Sequence, residues 1–266
     1  MSILTIPVQD IKTTDDFTNA LPDYEVLDMW QQVQYDEMLR MWEVQKDVDG
    51  SYNWTSGHDG VLEDFEFRDA RILKAHANNY TFCSGASLFH FLSCYKEYVN
   101  NEWESELDMT LEMAKELKAY FFVYKDYERY YDGAPAGLAE LDRHLSDRWF
   151  EVYPDAEKSE FRDSFGLDFR RTTNIEEARF GDYIQLQNKP DPIGSGSGHA
   201  AIFVGLEERS YRGEDVYAVR VFQSNLRNDY GMPPGIGLAW WIAGKVDKST
   251  GFERIFKLGG FRENDR

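Results

Sequence analysis

The first part of the chain carries large apolar side chains near helical spacing. Between residues 23 and 46 five of them fall near this spacing. These are Leu27, Trp30, Val33, Leu39 and Trp42. We therefore predict one or two amphipathic helices in this segment. The segment 47–60 is rich in Asp, Gly, Ser and Asn and predicts a loop, and we predict a further helix over residues 61–75.

A change from small to large side chains marks the next helix. The sequence Cys83-Ser84-Gly85-Ala86-Ser87 contains only small residues, and a mostly apolar run of large residues follows it. This order predicts a loop that enters a buried helix at Cys83. Apolar positions at helical spacing predict two more helices, at about 107–124 and 136–150, on either side of a break at Gly133-Ala134-Pro135.

The pattern changes near Gly181, where short apolar runs begin to alternate with Gly, Pro, Asp and Asn. Such runs are typical of antiparallel strands that are joined by hairpins. The predicted strands cover about 183–186, 200–204, 217–222, 238–242 and 252–258. Helices that are followed by strands predict an α+β fold.

The charge of the chain argues against one class of partner. Forty-eight acidic side chains stand against 29 basic ones, which gives a formal net charge of −19. This charge repels phosphate backbones and anionic lipid surfaces, so we expect no nucleic-acid partner. The first residues lack the basic start and long apolar run of a Sec-type signal, and we find no apolar stretch that could span a membrane. We expect a soluble chain that is cytoplasmic or exported by a signal-independent route.

The only two cysteines, Cys83 and Cys94, are predicted to be free thiols. If both lie on one helix, their Cα atoms are about 16 Å apart at about 1.5 Å per residue. This separation is too long for a disulfide bond. The chain therefore fits a reducing compartment or a thiol enzyme.

Three separate features have the chemistry of a thiol hydrolase. Cys83 begins a helix, where free backbone N–H groups lower a thiol pKa and can stabilise an oxyanion. His199 lies between a glycine-rich segment and an apolar strand, from which its imidazole could take the thiol proton. Gln223 and Asn225 share one face of the next strand, and either amide could orient the imidazole. We place Gln223 first because it lies further inside the strand. Each residue, taken alone, also fits an ordinary structural role.

In their order along the chain, these segments resemble a known group of enzymes. Cys83-Ser84-Gly85 at a helix start resembles the Cys-Ser-Gly of NlpC-type hydrolases. The Gly181-Asp182 pair resembles the start of one of their strands, and residues 198–205 resemble their histidine strand. The tail Gln223-Ser224-Asn225 is similar to the Glu-Gln-Asn ending of CHAP amidases. The chain thus resembles the papain-like NlpC/CHAP superfamily over about 78–92 and 178–261.

The resemblance implies a cysteine amidase or peptidase that acts through an acyl-enzyme on Cys83, often on the peptide part of bacterial cell wall. It implies a papain-like core over residues 76–266, in which the nucleophile helix packs on an antiparallel sheet. A helical insertion at about 101–175 and an N-terminal helical region over 1–75 complete the expected organisation. The expected partners are a peptide or peptidoglycan substrate and an inhibitory or immunity protein.

Two alternatives stay open at this point. The same catalytic pair could act on an amide or thioester outside the cell wall, or the fold could serve as a non-catalytic binding or structural module. The remaining histidines do not combine with the cysteines at zinc-ligand spacing, so we expect no metal and no cofactor. They are His58, His76, His90 and His144.

Overall fold

A computed structural model of the chain contains helices and an antiparallel sheet, so the fold belongs to the mixed α+β class. It describes residues 5–7, 11–46, 52, 57–67, 69–98, 167–172, 175–188, 199–211, 213–225, 235–242 and 254–263. The described helices are α1 (Thr14–Asn19), α2 (Met29–Gln45) and α3 (Cys83–Tyr98). Helix α3 begins at the residue where the sequence predicts a helix start.

Helix α2 confirms that the predicted segment is helical, and a single 3-10 turn at Tyr24–Val26 precedes it. Its buried side chains include Trp30 and Trp42 but not Val33 or Leu39. Asp28 caps its first turn, because the Asp28 carboxylate accepts a hydrogen bond of 2.8 Å from the backbone N–H of Gln31. The Gln31 side chain in turn accepts from the backbone N–H of Asp28 at 3.2 Å. This reciprocal pair satisfies two N–H groups that would otherwise have no intrahelical partner.

Among the described residues, seven strands form one sheet: β1 (Thr5–Pro7), β4 (Leu167–Thr172), β5 (Tyr183–Asn188), β6 (His199–Tyr211), β7 (Glu214–Asn225), β8 (Gly235–Ile242) and β9 (Arg254–Glu263). Their order across the sheet is β1-β8-β7-β6-β5-β9-β4, and each neighbouring pair is antiparallel. The predicted strands after Gly181 are all present.

The predicted helix over residues 61–75 is wrong. This segment forms a two-stranded antiparallel hairpin of β2 (Phe65–Phe67) and β3 (Ala70–Leu73). Phe65 and Phe67 are buried while Glu66 between them is exposed, which is the period of two of a strand. Asp69 lies at the turn with a φ of 62°, a left-handed conformation that ends a helix and suits a tight turn.

The helices that the sequence predicts at 107–124 and 136–150 lie outside the described residues. The expected helical insertion at about 101–175 is described only at its end, and there it contains strand β4 and a single 3-10 turn at Ile175–Glu177. Strand β4 pairs along its whole length with β9 at the sheet edge, and the insertion itself stays a prediction.

Helices α2 and α3 pack against each other, and α3 packs on β6 and β7. One apolar cluster joins helices and sheet through fully buried side chains such as Trp30, Phe91 and Phe222. Alternate residues of the central strands form a second cluster, which includes Phe203, Val221 and Trp241. Since side chains on a strand alternate between its two faces, the sheet buries both faces over β6, β7 and β8. The start of α3 therefore lies beside the middle strands of the sheet.

Candidate active site

Cys83 is the first residue of helix α3 and is held close to a neighbouring loop. The backbone N–H of Phe82 donates to the carbonyl oxygen of Gly60 at 3.2 Å. A Cβ atom at Gly85 would collide with the carbonyl oxygens of Asp59 and Gly60. The glycine after Cys83-Ser84 therefore permits the close approach that fixes the helix start.

A buried polar network holds the segment that precedes Cys83. The Thr81 and Ser224 hydroxyl groups share a hydrogen bond of 2.7 Å, which joins this segment to β7. Gln45, at the end of α2, donates from Nε2 to Thr81 Oγ1 at 3.3 Å, and its Oε1 accepts from the backbone N–H of Ile236 at 2.6 Å. Helix α2 thus connects the segment before Cys83 to the start of strand β8, which also contains Trp241.

The structure brings His199, the first residue of β6, against the Cys83 thiol. A hydrogen bond joins the two side chains, and the backbone N–H of Ala200 donates a further one to the sulfur. The partner of His199 across the sheet is Leu186 of β5. A histidine at this strand start can therefore reach the helix N-terminus.

Gln223 occupies the position behind the imidazole. Its Oε1 atom lies 2.7 Å from His199 Nε2 and accepts a hydrogen bond of 2.9 Å from the indole Nε1–H of Trp241. The His199 and Trp241 rings are also in contact, with centroids 5.4 Å apart. Gln223 and Trp241 are 2% and 0% exposed, so water does not compete for these bonds. The residues thus line up in the order Cys83, His199, Gln223, Trp241.

The environment favours a thiolate at Cys83. Burial raises the thiol pKa, but the His199 charge, hydrogen bonds from His199 and Tyr52, and the Ala200 backbone N–H lower it to about 7 in sum. For His199, burial opposes the charged form, yet the Cys83 charge and the bonds to Cys83 and Gln223 outweigh burial and raise its pKa. The two shifts are opposite in direction, as expected for a thiolate–imidazolium pair.

Tyr52 is a site residue that the sequence analysis does not identify. Its hydroxyl group lies 3.7 Å from Cys83 Sγ, and its backbone forms a parallel bridge with Thr81. Burial, then the Cys83 charge and hydrogen bond, raise the pKa of Tyr52 well above its ordinary value, so the hydroxyl stays protonated and can donate. Tyr52 lies in a segment that the sequence predicts as a loop, two positions from Trp54, and no spacing there marks it as a site residue.

Asn225, the other candidate to orient the imidazole, lies two residues beyond Gln223 at the end of β7. Its partner across the sheet is Gly235 of β8. The hydrogen bond to the His199 imidazole is made by Gln223 Oε1.

The second cysteine, Cys94, lies on the same helix as Cys83, and both are free thiols. Cys94 is fully buried, and burial raises its pKa well above the ordinary value. Its sulfur lies beside His90, whose pKa is lowered to about 4 by burial, and whose ring bonds to Tyr183 and to the Gln34 carbonyl oxygen. This second cysteine–histidine pair is a core contact that disfavours ionisation of both members.

The described part of the chain contains no cluster of three or more His, Cys, Asp or Glu side chains that could bind a metal ion. Within the same residues, none of the helices is long and apolar enough to cross a membrane.

Comparison with known proteins does not assign the chain to a family. No protein-family model, curated protein or solved structure matches it. The contacts of Cys83, His199, Gln223 and Tyr52 are therefore the basis for a functional conclusion.

Proposed function

We propose that the protein is a cysteine hydrolase that cleaves amide bonds through an acyl-enzyme on Cys83, with a papain-like arrangement of helix and sheet. The observation that carries this proposal is the chain of hydrogen bonds from the Cys83 thiol through His199 to the buried Gln223. A thiol with a purely structural role needs neither a lowered pKa nor an oriented imidazole. Cys94, eleven residues further along the same helix, lacks such an environment.

In the resting enzyme the thiol proton is held by His199. A thiolate is the nucleophilic form of cysteine, and a pKa near 7 makes it abundant at neutral pH. The negative charge on sulfur is stabilised by the imidazolium, the Tyr52 hydroxyl and the backbone N–H of Ala200. Gln223 keeps the imidazole in place during the proton transfers.

In the first chemical step, the Cys83 sulfur attacks the substrate carbonyl carbon and forms a tetrahedral intermediate. The negative charge moves from sulfur to the carbonyl oxygen. We expect the Tyr52 hydroxyl, which lies beside Cys83, and a backbone N–H at the start of α3 to donate to this oxygen. As the C–N bond breaks, the amine takes its electron pair together with the proton of the His199 imidazolium. The products are a free amine and a thioester on Cys83.

Deacylation reverses these roles. Neutral His199 takes a proton from a water molecule, whose oxygen attacks the thioester carbonyl. The second tetrahedral intermediate collapses, the C–S bond breaks, and the carboxylic acid leaves. The thiolate and the imidazolium are then restored, so one water molecule is consumed for each amide bond.

The proposed substrate class follows from the resemblance to NlpC and CHAP enzymes. Peptides of bacterial cell wall are therefore the first substrates to test, and an inhibitory or immunity protein is the partner to seek for an enzyme that attacks cell wall. The net charge of −19 favours neutral or basic peptides over polyanionic ones.

Alkylation with iodoacetamide tests the chemistry without a known substrate. We expect Cys83 to react as a thiolate near neutral pH and Cys94 to stay unmodified, as mass spectrometry of the peptides would show. His199→Ala removes the base and is expected to abolish the neutral-pH reaction of Cys83 in a folded protein. If Cys83 titrates as an ordinary thiol in both proteins, the enzyme proposal is wrong and a binding module is the better interpretation.

Release of new amino groups from purified peptidoglycan tests the substrate class. Cys83→Ser is the matched control, since it keeps the shape of the site and removes the reactive sulfur. Amine release by the wild type alone supports a wall peptidase. A reactive Cys83 without amine release from peptidoglycan leaves the chemistry intact and rejects the wall substrate.

A further inference from the structure

The orientation of the Gln223 amide group depends on Trp241. An amide oxygen and an amide nitrogen have nearly the same shape, so their hydrogen-bond partners decide which one faces a given side. Gln223 Oε1 is 2.9 Å from the Trp241 indole nitrogen and 2.7 Å from His199 Nε2. An indole nitrogen can only donate, so it requires the amide oxygen at this position.

No other described residue fixes this orientation. Among the residues that the structure describes, Gln223 Nε2 is buried and makes no hydrogen bond. The imidazole itself is ambiguous, because Nε2 could donate to an amide oxygen or accept from an amide nitrogen, depending on its tautomer. The Trp241 N–H is therefore the group that selects between the two amide orientations.

The selected orientation determines which imidazole nitrogen can act as the base. With the amide oxygen facing His199, Nε2 carries the proton, and Nδ1 of the neutral ring remains able to accept the Cys83 proton. In the reversed orientation the amide nitrogen would donate to Nε2, and the proton of the neutral ring would move to Nδ1. Nδ1 could then no longer accept the thiol proton. The buried indole N–H would also lose its acceptor, which disfavours that orientation.

We propose that Trp241 is a positioning residue that sets the tautomer of His199 through the Gln223 amide. The catalytic consequence rests on the proposed cysteine hydrolase function, whereas the tautomer itself does not. Trp241 acts here through its N–H rather than through ring packing alone. The same ring also contacts the imidazole face, so the two contributions need separate tests.

The tautomer can be measured by ¹⁵N NMR of the His199 ring in a Cys83→Ala background. Without the thiolate, the imidazole is neutral well above its ordinary pKa of about 6.5. We expect the proton on Nε2 in Cys83→Ala. We expect comparable amounts of the Nε2–H and Nδ1–H forms in Cys83→Ala/Trp241→Phe, since Phe keeps a ring but has no N–H. An unchanged Nε2–H form in both proteins would overturn the proposal.

Trp240→Phe is the matched control on the same strand. Adjacent strand residues face opposite sides of the sheet. The Arg220 guanidinium lies over the Trp240 ring, with Cζ 4.4 Å from the ring centroid. We expect this variant to keep the Nε2–H tautomer. A tautomer change in both variants would show a general loss of packing and would count against the proposal.

Replacement of the amide by a carboxylate supplies a rescue test that a purely structural role of Trp241 would not pass. In Gln223→Glu both terminal atoms accept hydrogen bonds, so the group has no orientation to lose. We therefore expect the Nε2–H form to persist in Gln223→Glu/Trp241→Phe, measured in the same Cys83→Ala background. Loss of the Nε2–H form in this variant would mean that the indole N–H does not act through the amide.

If Trp241→Phe does not fold, NMR of the Trp241 indole in the wild type tests the proposal. The proposal requires a Trp241 N–H that exchanges slowly and lies near the His199 Nε2 proton, and a rapidly exchanging N–H would overturn it.

The activity measurement uses Trp241→Phe with Cys83 intact. If two tautomers share the population about equally, we expect kcat to fall at least about twofold while KM is unchanged, because only one of them accepts the thiol proton. An ordinary thiol titration of Cys83 together with a tautomer change would leave the positioning role intact and reject the hydrolase function. A reactive Cys83 with an unchanged tautomer would support the hydrolase function and reject the positioning role of Trp241.

Discussion

The hydroxyl groups of Thr81 and Ser224 lie 2.7 Å apart in a buried position, although 143 residues separate them in the chain. Thr81 lies two residues before Cys83, the proposed nucleophile, and Ser224 follows Gln223 directly on β7. One hydrogen bond thus connects the segment that contains Cys83 with the segment that contains Gln223. The relative position of these segments determines whether thiol and imidazole can meet.

Replacement of Thr81 by Val should weaken both the fold and the site. The variant keeps the shape of the side chain but leaves the Ser224 hydroxyl without this partner, and we expect the free energy of unfolding to fall by about 1–3 kcal/mol. Urea denaturation measures this change. The Thr81→Val/Ser224→Ala double variant removes both hydroxyl groups, so its loss should be smaller than the sum of the two single losses. Strictly additive losses would mean that the hydrogen bond contributes nothing.

The pH dependence of alkylation should reveal the thiolate–imidazolium pair. The Cys83 pKa is lowered to about 7, so the reaction rate should rise with pH through a midpoint near 7 and not near the ordinary thiol value of about 8.5. In His199→Ala the midpoint should move upward, because burial then raises the pKa without the opposing charge. A midpoint that does not depend on His199 would contradict the pairing.

The same pKa shifts have a defined effect on stability. The folded-state pKa of Cys83 is lowered, so its contribution to stability is present above the unfolded-state pKa and is lost as pH falls through about 7. The folded-state pKa of His199 is raised, so its contribution is present below the unfolded-state pKa and is lost as pH rises through the folded-state value. Urea midpoints of the wild type and of Cys83→Ala/His199→Ala, compared between pH 5 and 9, should differ in their pH slope. If the urea midpoints of the two proteins depend on pH in the same way, the pKa shifts of Cys83 and His199 are excluded.

Replacement of Tyr52 by Phe should impair catalysis more than substrate binding. The ring stays in place, but the hydroxyl that donates toward Cys83 and the developing oxyanion is lost. We expect kcat on a peptide substrate to fall by about 10²–10³-fold, the range for one oxyanion donor, with little change in KM. Tyr80→Phe is a matched control, because Tyr80 stacks on His76. An equal fall in kcat for Tyr52→Phe and Tyr80→Phe would mean that the Tyr52 hydroxyl does not stabilise the oxyanion.

Gln223 and Asn225 can be distinguished by shortening or truncating each side chain. Gln223→Asn shortens the side chain by one methylene group, so its amide oxygen can no longer bond to both His199 and Trp241 in the present geometry. We expect a fall in kcat of at least about tenfold and a less lowered Cys83 pKa. Asn225→Ala should have a smaller effect on both quantities. A larger effect of Asn225→Ala would assign the orienting role to Asn225.

Gly85→Ala should destabilise the nucleophile segment. Its Cβ atom would meet the carbonyl oxygens of Asp59 and Gly60, which are backbone atoms that cannot rotate away. We expect a loss of about 1–3 kcal/mol in the free energy of unfolding, typical of overpacking. Ser84→Ala, one residue earlier, is the comparison variant. An equal loss in both variants would mean that the close contact of Gly85 with Asp59 and Gly60 has no special cost.

Much of the secondary structure can be predicted from the sequence because it depends on neighbouring residues. The helical spacing of Trp30 to Trp42 lies within α2, and the small-to-large change after Cys83 lies within α3. The short β-prone runs after Gly181 likewise give β5 to β9 and the α+β class. The predicted helix over residues 61–75 is wrong, because short apolar runs such as those of β2 and β3 fit either period until a partner strand is known.

The site required the tertiary structure, because its contacts join residues far apart in the chain. The sequence alone identified Cys83 and His199 as candidates and left Gln223 and Asn225 as alternatives. Sheet register then placed Gln223 against both His199 and Trp241. Tyr52 reaches Cys83 from a segment whose sequence predicts a loop and contains no periodic signal. Local patterns determine which elements form, whereas hydrogen bonds between distant residues determine which side chains meet, and only the folded chain brings those partners together.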